Sequence, residues 1–330
     1  MLNKTLSIPI LKDIEEARER ISKYLLKSPL LYSAPLSTLT GAEVYIKYEN
    51  HNPTCAFKVR GGINLVSKLI NDVETRLIAF LLAGSTGNHG QSIAYAGKLF
   101  DIPVKIVVPE DANESKVQAI KDFGAEIIHH GKDVSEVWDY CEKLSKEKGY
   151  KYVHSVNEPD LFCGVGTIGL EVYEDLPDLD YFITAVGGGS GLCGSSIALK
   201  SKNPKIKTYG VQSDGASAIY DSFKQKKIIS HPLLNTFAEG LATRNVFPYA
   251  FDIMQKYVDD VFLVSDKEIK KSILLLLEHC HTVAEGAGAA ALAGLIKNKE
   301  IFKNKKVVCV LTGGNLQMSV LKEILSSHPN

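Results

Sequence analysis

The stretch Asn52-Pro-Thr-Cys-Ala-Phe-Lys58-Val-Arg-Gly-Gly62 follows a run, Val44–Tyr48, whose apolar residues alternate as in a strand. It leads into a helix-like run, Ile63 to Ile70. A lysine held where strand gives way to helix can be partly desolvated. Its pKa then falls and its amine becomes a nucleophile toward an aldehyde. A single lysine is a weak signal, because most are solvated surface charges. Its weight here comes from what lies further along the chain.

Outward from this stretch, strand-like and helix-like runs alternate. Leu77–Leu82, Val104–Val108, Glu126–His129 and Tyr152–His154 read as strands. Helical runs lie between them, ending near Phe100 and spanning Ser115–Phe123 and Asp133–Lys148. Crossovers of this length suit parallel pairing. The alternation restarts with strands at Tyr181–Val186, Lys207–Gln212, Val261–Val264 and Lys306–Leu311, while residues 213–247 read as irregular. The expected fold class is α/β, with two open, twisted, mostly parallel sheets and helices on both faces. The expected division is a large cofactor-binding domain from 1–75 plus 156–330, and a small substrate-side domain from 76–155.

Three glycine-bearing turns follow strands and precede helices: 84–90, 187–191 and 312–315. In open parallel sheets ligands bind at the carboxyl ends of strands, and each turn can aim N–H groups at an anion. Gly187-Gly-Gly-Ser-Gly191 is the best phosphate cradle, because backbone without Cβ can approach an anion closely. It matches neither a Walker loop nor a dinucleotide fingerprint. Ser85, Thr86, Asn88 and His89 around Gly87 suit a small carboxylate. The plainer reading of that turn is a helix cap, with Ser85 or Thr86 serving Asn88 or His89. A phosphate cradle, a reactive lysine and a carboxylate turn together suggest pyridoxal 5'-phosphate, bound to the lysine and acting as an electron sink.

Net charge is zero, which favours neither nucleic acid nor an anionic membrane as partner. No apolar run reaches the roughly 18 residues of a membrane helix. The six cysteines contain no Cys-x-x-Cys pair, which argues against structural zinc and fits a reducing cytoplasm.

Lys47-x-Glu49, the Lys58 stretch, Ser85-Thr-Gly-Asn-His-Gly-Gln91, Gly187–Gly191, Glu285-Gly-Ala-Gly288 and Thr312-Gly-Gly-Asn315 resemble the fold-type II pyridoxal phosphate enzymes. That fold is tryptophan synthase β-like, and the serine/threonine dehydratases (threonine ammonia-lyases) and serine racemases are most similar. The resemblance covers nearly the whole chain. It implies that Lys58 binds the cofactor and removes the substrate Cα proton, with Phe57 packed beside the cofactor. Asn88 then meets the pyridine hydroxyl. Gly187, Gly188, Gly189, Ser190 and Gly191 hold the phosphate. Ser85, Thr86, Gly87 and His89 hold the substrate carboxylate. Glu285 lies near the ring, and Thr312 faces the pyridine nitrogen. A hydroxyl there makes a weaker electron sink than a carboxylate would, which favours prompt β-elimination.

The implied activity is dehydration and deamination of L-threonine or L-serine to a 2-oxo acid and ammonia. The alternatives are a serine racemase, a dehydratase of 3-hydroxyaspartate or another β-hydroxy amino acid, a β-replacement synthase, or a non-catalytic binding protein. The racemases place a serine hydroxyl opposite the lysine, and Thr86 takes that place here. Where the family usually carries glycine, this chain has Cys55, Gly164-Val-Gly-Thr167 replaces Gly-Gln-Gly-Thr, and His154-Ser-Val-Asn157 differs from the usual pattern with Pro or Phe after His. The resemblance implies that the last two stretches approach the pocket and bear on substrate preference. Gln212 and Ala218 stand where some relatives have cation-binding carboxylates, so no tight metal site is expected. A homodimer is implied. The chain ends at Asn330 with no room for the regulatory domain of biosynthetic dehydratases, so a catabolic role is expected.

Overall fold

The computed structural model describes residues 6–71 and 80–327. From the N-terminus come α1 (Leu11–Ile21), β1 (Leu30–Tyr32), α2 (Ala34–Thr40), β2 (Glu43–Tyr48) and α3 (Val59–Asn71). Strands and helices then alternate: β3 (Leu81–Gly84), α4 (Asn88–Leu99), β4 (Val104–Val108), α5 (Glu114–Lys121), β5 (Glu126–His129), α6 (Val134–Lys148) and β6 (Lys151–Tyr152). Next are α7 (Pro159–Asp175), β7 (Tyr181–Ala185), α8 (Ser190–Lys202), β8 (Lys207–Ser213), α9 (Ala218–Gln225) and α10 (Pro248–Tyr257). The chain closes with β9 (Asp260–Val264), α11 (Asp266–Cys280), α12 (Gly286–Lys297), β10 (Lys306–Leu311) and α13 (Met318–Ser326).

The strands form two sheets. One has six strands in the order β1-β2-β10-β7-β8-β9, parallel except for β1. The other has four, β5-β4-β3-β6, all parallel. Central strands are buried on both faces, so they read as unbroken apolar runs such as Val307–Leu311. Helices cover both faces. The Ala- and Gly-rich α12 lies against β7, β8, β9 and β10 with α11 outside it, which is why it is buried nearly all round from Gly286 to Leu295.

The structure departs from the sequence reading in places. The first part of the expected Leu77–Leu82 strand lies outside the described residues, and β3 runs on to Gly84. The irregular 213–247 segment contains α9. α2 and α10 each carry proline in their first turn, where the missing N–H costs nothing, so a residue that reads as a breaker marks a start. β1 is a three-residue strand, too short to show alternation.

The reactive-lysine stretch is pinned from two sides. On one side it is zipped to the end of β10. Phe57 N–H donates to the Thr312 carbonyl at 3.0 Å, Ala56 bridges Gly313, and Gly314 N–H donates to the Cys55 carbonyl at 2.9 Å. On the other side Arg60, fully buried, sits in a cluster of two cations and two carboxylates. Its guanidinium donates to Glu49 at 2.7 and 2.9 Å, to Glu171 at 2.8 and 2.9 Å, and to Thr167 and Ser28 at 3.1 Å. Lys47 donates to Glu171 at 2.6 Å and to the Ser28 carbonyl at 2.7 Å. Burial alone would raise the Glu171 carboxyl, but Arg60 and Lys47 outweigh it and hold Glu171 at about 2.

Glu171→Gln leaves the buried cations one carboxylate short and is expected to cost roughly 3–5 kcal/mol near neutral pH. Because the folded-state carboxyl is depressed below its usual 4.5, this contribution is complete above pH 4.5 and lost as pH falls toward about 2. Urea unfolding of both proteins across that window should show the gap closing. Cys55 has φ of +52°, a left-handed conformation that costs a side-chain-bearing residue about 1–2 kcal/mol. Cys55→Gly should therefore raise the unfolding midpoint, with a net gain of about 1 kcal/mol after the added chain entropy of glycine. A lowered midpoint would contradict this account.

Candidate active site

Lys58 is the last residue before α3, so the zip to β10 and the Arg60 cluster fix its backbone. Its carbonyl accepts the Ser92 hydroxyl of α4 at 2.7 Å. There α3 and α4 pack so closely that a Cβ on Gly62 would collide with Ser92. The Lys58 Nζ has no hydrogen-bond partner among the described residues and lies 5.1 Å from the Phe57 ring centroid. Burial lowers its pKa to about 8, with the Glu285 charge pulling the other way.

Lys58 opens into a cavity of about 500 Å³. Ser85, Thr86, Gly87, Asn88, His89, Gly187, Gly188 and Glu285 share its wall. Phe57, Gly189, Ser190, Gly191 and Thr312 do not line it. They adjoin lining residues instead. Phe57 would touch a Cβ on Gly191 at 3.1 Å, and Thr312 holds the Phe57 N–H.

Two helices aim their N-termini at this region without a side-chain cap. For α4 the N-cap is Gly87, and the expected cap by Ser85 or Thr86 is absent. The Ser85 hydroxyl instead accepts the Gly87 N–H at 3.1 Å, which tightens the turn and leaves the first helical N–H groups open. For α8 the N-cap is Gly189, with φ of +99°. A side chain there would be strained, and its Cβ would lie 2.9 Å from that of Ala250. Both ends carry the positive pole of a helix dipole.

The polar groups between these ends are held in place. Asn88 donates to Glu285 at 2.8 Å and accepts from Asn315 at 2.7 Å, and Asn315 also donates to the Thr54 carbonyl at 2.9 Å. Burial raises the Glu285 carboxyl to about 7, against the pull of Asn88 and Lys116. Burial and then the Lys58 charge push His89 down to about 3. Its ring is neutral, and Nε2–H donates to the Val153 carbonyl at 3.1 Å. His89 can offer an incoming anion its backbone N–H, while its imidazole anchors the turn to the residue after β6. The hydroxyls of Thr86 and Thr312 make no hydrogen bond among the described residues.

Pyridoxal phosphate fits these residues. A neutralisable amine with no partner is present, as are an uncapped helix end bordered by glycine for a phosphate and a second uncapped end for a carboxylate. The sequence reading missed other lining residues, among them Asn315, Trp138, Val156 and Phe247. Asn315 stands in a quoted motif without a role. Trp138, the chain's one tryptophan, belongs to the apolar stripe of α6 with Val137 and Cys141, and so reads as ordinary core. Val156 lies in the 154–157 stretch that the resemblance brings to the pocket without a role for it, and Phe247 comes from a connection whose spacing carries no signal.

Residues 21–313 match the family model described as "Pyridoxal-phosphate dependent enzyme". The L-threonine ammonia-lyase of Thermotoga maritima is 37% identical over 96% of this chain and 78% of its own length. The catabolic L-threonine dehydratase TdcB of Escherichia coli (strain K12) is 34% identical, with 97% of each chain covered. The serine racemase structure from Dictyostelium discoideum superposes with a TM-score of 0.87 at 35% identity, covering 94% of this chain and 99% of that one. With an unpartnered, desolvated amine in this cavity and these matches over nearly its whole length, the chain belongs to the pyridoxal-phosphate dependent enzymes.

Proposed function

We propose that this enzyme catalyses β-elimination of L-threonine and L-serine, giving 2-oxobutyrate or pyruvate and ammonia. The observation that carries the reading is the unpartnered Lys58 amine in one cavity with the uncapped start of α4 and with Gly187 and Gly188, which lead into the uncapped start of α8. The similarity to threonine dehydratases supports the substrate class. When bound, the cofactor supplies an electron sink for the Cα–H bond electrons.

Each residue then has a task. The α4 N–H groups, with Ser85, Thr86 and Gly87, hold the substrate carboxylate, and this directs the Cα–H toward Lys58. The Gly187–Gly191 turn and the α8 dipole hold the phosphate. Phe57 supports that turn. Asn88, tied to Glu285, presents its amide to the ring, and Thr312 offers a hydroxyl to the ring nitrogen. Lys58 Nζ, deprotonated near neutral pH more readily than an exposed lysine, takes the Cα proton. The β-hydroxyl departs as water, protonated with the proton that Lys58 took from Cα. The enamine that is released takes up water and loses ammonia, so the sum is amino acid to 2-oxo acid plus ammonia.

Racemisation is a second reading, favoured by the free Thr86 hydroxyl in the cavity and by the likeness to a serine racemase. Solvent deuterium incorporation into recovered L- and D-serine separates the two. The proposal includes a cytoplasmic homodimer built from a large lobe (1–75 with 156–330) and a small one (76–155), and no tight metal site. Consistent with these, all six cysteines are free, no described helix is long and apolar enough to cross a membrane, and the Gln212 side-chain oxygen already accepts the Tyr220 N–H at 3.0 Å.

Lys58→Ala should abolish the visible absorption of the lysine-linked cofactor and lower 2-oxo acid release on the order of 10³-fold. Undiminished turnover would refute the assignment. In the cofactor-free protein, competitive acetylation of Lys58 should rise with pH through about 8, not 10.5. Because the Glu285 carboxylate raises this pKa, Glu285→Gln should move the midpoint lower still. A midpoint at 10.5 would mean the amine is not desolvated.

A further inference from the structure

Between the two anion-binding turns stands a continuous wall that the mechanism above does not use. Trp138 Nε1–H donates to the Gly84 carbonyl at 3.2 Å, just before the carboxylate turn. The Trp138 and His154 rings lie 4.9 Å apart. The Val156 N–H donates to His154 Nδ1 at 3.2 Å, and Val156 presses on Gly188 so closely that a Cβ there would collide with it. Phe247, from the connection before α10, completes the wall at 5.9 Å from Trp138 and 5.6 Å from His154. Trp138, Val156 and Phe247 all face the cavity.

This wall carries no free charge. His154 accepts a backbone N–H at Nδ1, so its ring is neutral. The nearest cavity-lining cations are already paired, Arg244 with Asp133 at 3.3 Å and Lys116 with Glu239. A substrate whose carboxylate is held at 85–89, whose Cα–H is directed at Lys58 and whose amine would be held by the cofactor has one substituent left, and the surface between the turns is what it meets. An apolar wall rejects a second carboxylate, which would be desolvated without a partner. Bulk beyond a few atoms meets aromatic rings.

We propose that Trp138 and Phe247 select the substrate's side chain, admitting a short, uncharged β-hydroxy substituent and excluding charged or bulky ones. This rests on the β-elimination reading and assigns its substrate class. In an apolar pocket one methylene changes discrimination by roughly 10- to 200-fold, enough for two rings to decide between small and large side chains.

The test measures kcat/KM by 2-oxo acid release for L-threonine, L-serine, 3-hydroxyaspartate and 3-phenylserine. The proteins are the wild-type holoenzyme, Phe247→Ala and Trp138→Phe, with Phe247→Leu in reserve should the alanine variant lose its cofactor absorption. The wild type should favour threonine and serine over the other two by about 100-fold. Phe247→Ala should raise the phenylserine-to-threonine ratio by at least about tenfold, and Trp138→Phe should shift it less in the same direction. A ratio taken on one preparation is insensitive to partial unfolding, which lowers both rates alike. Ratios within about twofold of wild type in these variants, or wild-type use of 3-hydroxyaspartate equal to that of threonine, would overturn the selection by this wall. If the wild type released no 2-oxo acid from any of the four, the elimination reading would fall first and this inference with it.

Discussion

The two cations and two carboxylates sealed between β2, α3 and α7 are the constraint on which the geometry around Lys58 depends. Such a cluster is poor as a source of stability, because desolvation offsets most of the attraction, and apolar residues of equal volume can do as well. What it gives is position. The guanidinium of Arg60 has a fixed planar fork, and its oxygens come from Ser28 before β1, Glu49 just after β2, and Thr167 and Glu171 on α7. Those elements meet in only one register. Lys58 lies two residues before Arg60, so the reactive amine inherits that register.

The amine is in turn set against two helix ends whose N–H groups no side chain satisfies. An uncapped helix end costs about 1 kcal/mol relative to a capped one, and this site has two. On the proposed function, the anions that complete them are the cofactor phosphate and the substrate carboxylate, which would offset the cost. The buried, raised carboxyl of Glu285 and the depressed amine of Lys58 belong to the same economy of charge. Each is shifted toward its neutral form by burial.

Much of this was legible in the sequence, for identifiable reasons. Parallel strands buried on both faces announce themselves as apolar runs, so Val104–Val108 and Lys306–Leu311 were found to the residue, and the half-buried edge strand Glu126–His129 was found as well. Glycine turns between strand and helix marked the two uncapped helix starts beside the cavity. The alternative of a Ser85 or Thr86 cap on α4 does not hold, because the turn folds Ser85 back onto Gly87 instead. Prolines at 35 and 248 looked like breaks and are helix starts. Of the aromatic wall, the 154–157 stretch was placed near the pocket by resemblance, whereas Trp138 has a core-like spacing and Phe247 comes close only through the tertiary fold.

The seam where α3 meets α4 has a consequence for how this protein can diverge. Ser92 occupies the space that any side chain at position 62 would need, and its hydroxyl holds the Lys58 carbonyl. Positions 62 and 92 therefore cannot drift singly. A smaller residue at 92 would not open position 62, because the Ser92 carbonyl oxygen, 2.7 Å from that Cβ, stays in place, and it would give up the hydroxyl that holds the Lys58 carbonyl to α4. Selection on chemistry is thus written into two small residues that never touch a ligand.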